Sequence, residues 1–120
     1  MKKRILVVED NEQNLYLATF LLKKNGYEVI AARNGLEAIE KAKAEKPDMI
    51  LMDMQFPEMD GYEATKRIKG IAELSHIPII AVTSYAMVGD REKVLAAGCV
   101  GYIEKPIIPE TFVSEIEKYF

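Results

Sequence analysis

Five short runs of β-forming residues alternate with segments of helical period, and this alternation limits the chain's possible folds more than any other feature. The runs are ILVV (5–8), EVIAA (28–32), MILMD (49–53), IPIIAV (77–82) and GYIE (101–104). The first, third and fourth are continuously apolar, as expected of strands covered on both faces. In the first intervening segment Leu15, Ala18, Leu21 and Leu22 share one helical face, Asn11 is the expected N-cap, and Asn25-Gly26 closes the helix. The second has capping-box spacing between Asn34 and Glu37, and Pro47 follows its end. A third follows Gly61 with Tyr62, Thr65 and Ile68. A short fourth spans Arg91 to Ala97 and stops at Gly98. The last starts at Pro109 and is expected to turn Phe112, Val113, Ile116 and Phe120 inward.

Strict strand–helix alternation predicts a parallel sheet with helices on both faces. Right-handed crossovers leave few ways to wind five such units, and five strands are too few for an eight-stranded barrel. The expected fold is an open, doubly wound α/β sheet, one domain over residues 1–120. In such sheets the cleft lies outside the C-terminal strand ends, near the point where strand order reverses.

Composition excludes several function classes. The net charge is −3 and no basic stripe is present, which argues against a nucleic-acid surface. No apolar run approaches the roughly 20 residues of a membrane span. The opening MKKRILVVED runs from a short apolar stretch straight into Glu9 and Asp10, whereas a secretory signal needs roughly 7–15 apolar residues. The single cysteine, Cys99, rules out an internal disulfide and fits a reducing cytoplasm. With His76 as the only histidine, in an ordinary turn context, Cys99 reads as a core residue rather than a nucleophile.

The strand ends carry an unusual set of side chains. The first run ends in Glu9-Asp10, the third in Asp53, the fourth in Thr83-Ser84 and the fifth in Lys105-Pro106. Each has a plain structural reading: Asp10 as a cap, Glu9 as a solvated acid, Thr83 and Ser84 as helix caps, Lys105 as a surface lysine, and Asp53 as the start of an Asx-turn. Jointly they place three acids, a hydroxyl pair and an amine on one sheet edge. Crowded carboxylates cannot all stay ionised without compensation, so one pKa rises or a cation binds. An all-oxygen set suits Mg²⁺, while the lack of Cys and His clusters excludes a soft-metal site. A divalent cation, a lysine and a hydroxyl around one carboxylate form a phosphoryl-transfer constellation, with Asp53 as the nucleophile that becomes an acyl phosphate.

The strings LVVEDN, ILMDMQFPEMDG, AVTSYA and GYIEKPI, in this order and spacing, resemble the response-regulator receiver domains of bacterial two-component signalling. The resemblance covers nearly the whole chain and is nearest the cell-cycle-regulator type of single-domain and hybrid-kinase receivers. It implies a flavodoxin-like (βα)5 fold with strand order 2-1-3-4-5. It also implies that Asp53 accepts a phosphoryl group from a phosphohistidine on a histidine kinase or histidine phosphotransferase. Asp10 and Asp53 would hold Mg²⁺ directly (Mn²⁺ able to substitute), Glu9 through a coordinated water, and Gln55 through its backbone carbonyl. Thr83 and Lys105 would contact the phosphoryl group, and the Lys105–Pro106 peptide would be cis. Pro57 and Gly61 would shape the loop after the nucleophile. Thr83 and Tyr102 would form the switch, remodelling the face of the fourth helix, fifth strand and fifth helix for a downstream protein target. Gln55 and Tyr85 hold the positions that tune phosphoryl lifetime, the bulk of Tyr85 shielding the acyl phosphate from water. Glu9 stands where the family more often has aspartate, a change expected to preserve metal binding.

The expected role is a cytoplasmic signalling switch that catalyses only its own phosphorylation and dephosphorylation, with no direct nucleic-acid or membrane partner. MKKRILVVEDN favours a native N-terminus and a stand-alone receiver; the alternative is a receiver excised from a hybrid kinase or longer regulator. An aspartyl-phosphate phosphatase would show D-x-D after its first strand, whereas Asp53 follows the third and DMQ lacks the second acid. A flavodoxin would need a phosphate loop where VEDNEQN is acidic, and no G-x-x-x-x-G-K-[ST] motif supports a nucleotide site. A scaffold independent of phosphorylation is the remaining alternative.

Overall fold

The computed structural model describes residues 3–54, 60–84 and 88–120, with residues 88–90 described by backbone alone. Its strands are β1 (Arg4–Val8), β2 (Glu28–Ala32), β3 (Met49–Asp53), β4 (Ile79–Thr83) and β5 (Gly101–Glu104). The helices that follow them are α1 (Glu12–Lys24), α2 (Gly35–Glu45), α3 (Gly61–Lys69), α4 (Val88–Ala97) and α5 (Pro109–Glu117), with a 3-10 turn at Ala72–Leu74. All strand pairs are parallel and the sheet order is β2-β1-β3-β4-β5, the doubly wound arrangement expected from the alternation.

The continuously apolar runs become the three central strands. Every residue of β3 and β4 is buried, as are Ile5 to Val8 of β1. Side chains alternate across a strand, so one run supplies two cores. Leu6, Val8, Ile50, Met52, Ile79 and Ala81 face α2, α3 and α4 through Ala38, Ala42, Ala64, Ile68 and Val94. Ile5, Val7, Met49, Leu51, Ile80 and Val82 face α1 and α5 through Leu15, Ala18, Leu22, Phe112 and Ile116.

Local chemistry sets most helix ends. The Asn11, Asn34 and Asp60 side chains each accept a hydrogen bond from the backbone N–H three residues on, at 2.9 Å. α1 closes on Gly26 at φ +91°, a left-handed conformation that glycine adopts without strain. At α2 that role falls to Lys46, at φ 45°, immediately before Pro47.

Three expectations need correction. β4 begins at Ile79, not Ile77, because Pro78 has no N–H and the Ile77 N–H is spent on the Leu74 carbonyl at 3.1 Å. α4 begins three residues before Arg91, at Val88. Phe120 lies beyond α5 and is exposed; it stacks on Tyr27 at 5.7 Å with the Lys3 ammonium 5.0 Å from its ring. Cys99 is buried, and burial pushes its thiol pKa up to about 11, the Thr65 hydroxyl and Lys69 opposing only in part. That is the environment of a packing residue rather than a nucleophile. Among the described residues no helix is long and apolar enough to cross a membrane.

The two phenylalanines of the C-terminal segment should therefore respond differently to truncation. Phe112→Ala, at a position 1% exposed, is expected to lower the unfolding free energy by about 3–5 kcal/mol in a urea titration. Phe120→Ala is expected to lower it by about 1 kcal/mol, the worth of one aromatic stack. Equal losses would contradict the packing described.

Candidate functional site

Strand order reverses between β1 and β3, since the chain winds outward to β2 on one side and to β4 and β5 on the other. The sheet register brings the functional side chains to that point. Val8 is opposite Met52, Asp53 opposite Val82 and Thr83 opposite Glu104. Glu9, Asp53, Thr83 and Lys105 therefore end four adjacent strands at one edge. Beyond the strands, Met54 N–H donates to the Val82 carbonyl at 3.3 Å and Lys105 N–H to the Thr83 carbonyl at 2.8 Å. The Lys105–Pro106 peptide is cis.

The electrostatics are concentrated and dry. Glu9, Asp53 and Thr83 are 4%, 2% and 3% exposed. The Lys105 ammonium bridges the two acids, with Nζ 3.1 Å from Glu9 Oε1 and 3.1 Å from Asp53 Oδ2. The other Glu9 oxygen accepts the Asn11 N–H at 3.1 Å. Burial first, and then the charge of Asp53, push the Glu9 pKa up to about 7; the Asn11 N–H and Lys105 oppose the rise without cancelling it. Burial also pulls at Lys105, but the Asp53 and Glu9 carboxylates outweigh it and hold the ammonium pKa above its ordinary value.

Asp10 is exposed, and Asn11 rather than Asp10 caps α1. This frees the Asp10 carboxylate for the cleft. Glu9, Asp10 and Asp53 each bring an oxygen to within 4.8 Å of the others. Three carboxylates against one ammonium leave excess negative charge, and the Asp53 charge adds to burial in raising the Glu9 pKa. The donors are all oxygen and one of the three residues faces solvent, so the cluster could hold a hard divalent cation with room for water.

The plain reading of Lys105 does not hold. Lys105 is not a surface lysine; its side chain is 15% exposed. Thr83 is the buried last residue of β4. Gly61, the first residue of α3, is buried, and a Cβ there would run into the Asp53 carbonyl and lie 2.7 Å from Met54 Cα. Glycine thus lets α3 start directly against the end of β3. Gln55, Pro57 and Tyr85 lie outside the described residues.

Two features were not expected from the sequence. Lys105 ties Glu9 as well as Asp53. Tyr102, half-buried on β5, receives hydrogen bonds at its hydroxyl from Arg91 Nε and Nη2, at 3.2 and 2.5 Å. Neither pairing has a signal in residue spacing, because each joins separate elements.

The sequence matches the family described as the response regulator receiver domain over residues 5–117. The chain belongs to that family. It is 50% identical over 119 residues to the polar-differentiation response regulator DivK of Brucella anthropi, covering 99% of this chain and 97% of that protein. DivK of Brucella ovis is 49% identical over the same length. Chemotaxis protein CheY4 of Vibrio cholerae superposes with a TM-score of 0.95 over 100% of both chains, at 28% identity. The receiver domain of the Pseudomonas aeruginosa sensor histidine kinase PA1611, described with magnesium coordinated in its active-site cleft, superposes with a TM-score of 0.90 at 35% identity. It covers 99% of this chain and 98% of its own. This receiver domain thus has its acidic cluster at the strand-order reversal of a sheet shared with two-component signalling proteins.

The raised Glu9 pKa has a consequence for stability without metal. A carboxylate raised from 4.5 unfolded to about 7 folded stabilises the protein fully below pH 4.5. That stabilisation is lost as pH rises through about 7. In chelator, Glu9→Gln is therefore expected to gain stability relative to wild type as pH rises through neutrality, read as the difference in urea midpoints. A difference independent of pH would contradict the environment assigned to Glu9.

Proposed function

We propose that this receiver domain is a phosphorylation switch whose acceptor is Asp53. The observation that carries the reading is the Asp53 carboxylate, 2% exposed at the tip of a buried strand, with Lys105 Nζ 3.1 Å away and two further acids beside it. Rigid burial fixes the nucleophile, and the neighbouring ammonium is placed to balance charge on the transferred group. An Asp53 oxygen attacks phosphorus of a phosphohistidine on a histidine kinase or histidine phosphotransferase. The O–P bond forms as the N–P bond breaks, and the electron pair returns to the partner's imidazole nitrogen. Water attack on the aspartyl phosphate later releases inorganic phosphate and restores the carboxylate. Both steps act on the domain itself, and no other substrate is turned over.

Mg²⁺ is the cation we assign to Glu9, Asp10 and Asp53, with Mn²⁺ able to substitute; when bound it would neutralise charge on the transferred group. The oxygen-only donors of this chain support the choice, as does the magnesium named in the PA1611 receiver. Lys105 would let go of part of its carboxylate pairing to contact the phosphoryl oxygens, and the Thr83 hydroxyl would donate to them. Drawing Thr83 toward the new group opens space beside β5 into which Tyr102 follows, remodelling the α4–β5–α5 face. That face then meets a downstream protein target. The similarity to a response regulator supports a signalling role, which we place in the cytoplasm alongside the phosphodonor.

Incubation with acetyl phosphate and Mg²⁺, followed by intact-mass measurement, tests the reading. One added phosphoryl group is expected, abolished by Asp53→Asn and by chelation. Equal modification of the Asp53→Asn protein would overturn the assignment.

A further inference from the structure

α4 is held from both flanks by cations placed over tyrosine rings. Successive residues of a helix turn by about 100°, so positions two apart project to nearly opposite sides. Val94 and Ala97 point into the core. Arg91 leans toward β5, its guanidinium carbon 5.1 Å from the centroid of the Tyr102 ring and two of its nitrogens bonded to the Tyr102 hydroxyl. Lys93 leans the other way, toward α3, with Nζ 4.5 Å from the centroid of Tyr62. Tyr62 follows Gly61 at the start of α3, against the end of the strand that carries Asp53.

Both cations are exposed, so neither contact is required to fill the core. Both tyrosines are half-buried and belong to elements bordering the site. The Arg91 contact is specific to one position of Tyr102: its hydroxyl cannot keep both guanidinium bonds and also move inward beside Thr83. The Lys93 contact is likewise specific to one placement of α4 against α3. An interaction made in only one of two states biases the equilibrium toward that state by its own free energy. By linkage it weakens any ligand that prefers the other state by the same factor.

We propose that Arg91 and Lys93 are positioning residues, a pair of cation–π clamps that hold α4 and Tyr102 at rest and oppose the phosphorylated state. The proposal rests on the switch reading above and adds the elements that resist it. Neither residue touches the reacting atoms. Their effect reaches Asp53 through the position of Tyr102 on one side and of the α3 start on the other. Release of either clamp makes the switched state easier to reach, so the domain responds to less phosphodonor.

The test is a titration with beryllofluoride, a mimic of the phosphoryl group, in the presence of Mg²⁺. The full chain carries 3-fluorotyrosine, and the Tyr102 fluorine signal is assigned by Tyr102→Phe. Exposed cation–π contacts predict that Arg91→Ala and Lys93→Ala each tighten beryllofluoride binding roughly two- to fivefold. The double variant should tighten it roughly four- to 25-fold if the two flanks act independently. Before any beryllofluoride is added, the Tyr102 signal of Arg91→Ala should already lie part-way toward its bound position. Arg91→Lys, which keeps a charge over the ring but not the planar fork, should fall between wild type and alanine. Unchanged or weaker binding in both alanine variants, with the Tyr102 signal unmoved, would overturn the proposal while leaving the switch intact. Failure of wild type to bind, or equal binding by Asp53→Asn, would instead remove the acceptor reading on which the clamps depend.

Discussion

The ammonium of Lys105 between Glu9 and Asp53 is the interaction on which the site depends. The two carboxylates are 4% and 2% exposed, and one lysine 3.1 Å from each is their shared countercharge. Lys105 reaches them because β5 ends beside β4, whose register in turn places Thr83 past the tip of β3. One side chain thus joins the tips of β1, β3 and β5. It does not offset both burial and the Asp53 charge, and the Glu9 pKa stays raised to about 7. A site left short of positive charge in this way is prepared for a cation and for the transfer of a group whose charge that cation and lysine would share.

Rigidity and movement are divided between the strands and α4. The central strands are buried on both faces, and their tips cannot shift without disturbing two cores. α4 is anchored differently: Val94 and Ala97 enter the core, while exposed Arg91 and Lys93 grip tyrosines on either side. Weak, exposed, state-specific contacts suit an element that has to move, because small free energies then decide between two arrangements. On the proposed reading, the acceptor end of the site is fixed and its reporting end is adjustable.

Much of this was legible in the residues. Continuous apolar runs declared the central strands because both their faces are covered, and Asp53 stood out because such a run led straight into it. The acids, Thr83 and Lys105 became one site once the strands were laid side by side. Boundaries were read less well. Pro78 postpones β4, since a residue without an N–H cannot open the ladder, and Phe120 looked like a core residue although the chain places it past α5 on Tyr27. The clamps were not legible at all. Arg91 and Tyr102 belong to different elements, as do Lys93 and Tyr62, and no helical or strand period relates them.

A structure of the full chain with Mg²⁺ and beryllofluoride tests the central claim most directly, that one edge of the sheet binds the cation and the phosphoryl group and reports through Tyr102. The account predicts beryllium bonded to an Asp53 carboxylate oxygen, the cation among Glu9, Asp10 and Asp53, Lys105 turned to a fluorine, and Tyr102 moved inward and parted from Arg91. Beryllofluoride bound away from Asp53, or Tyr102 still seated on Arg91 with the site filled, would contradict it.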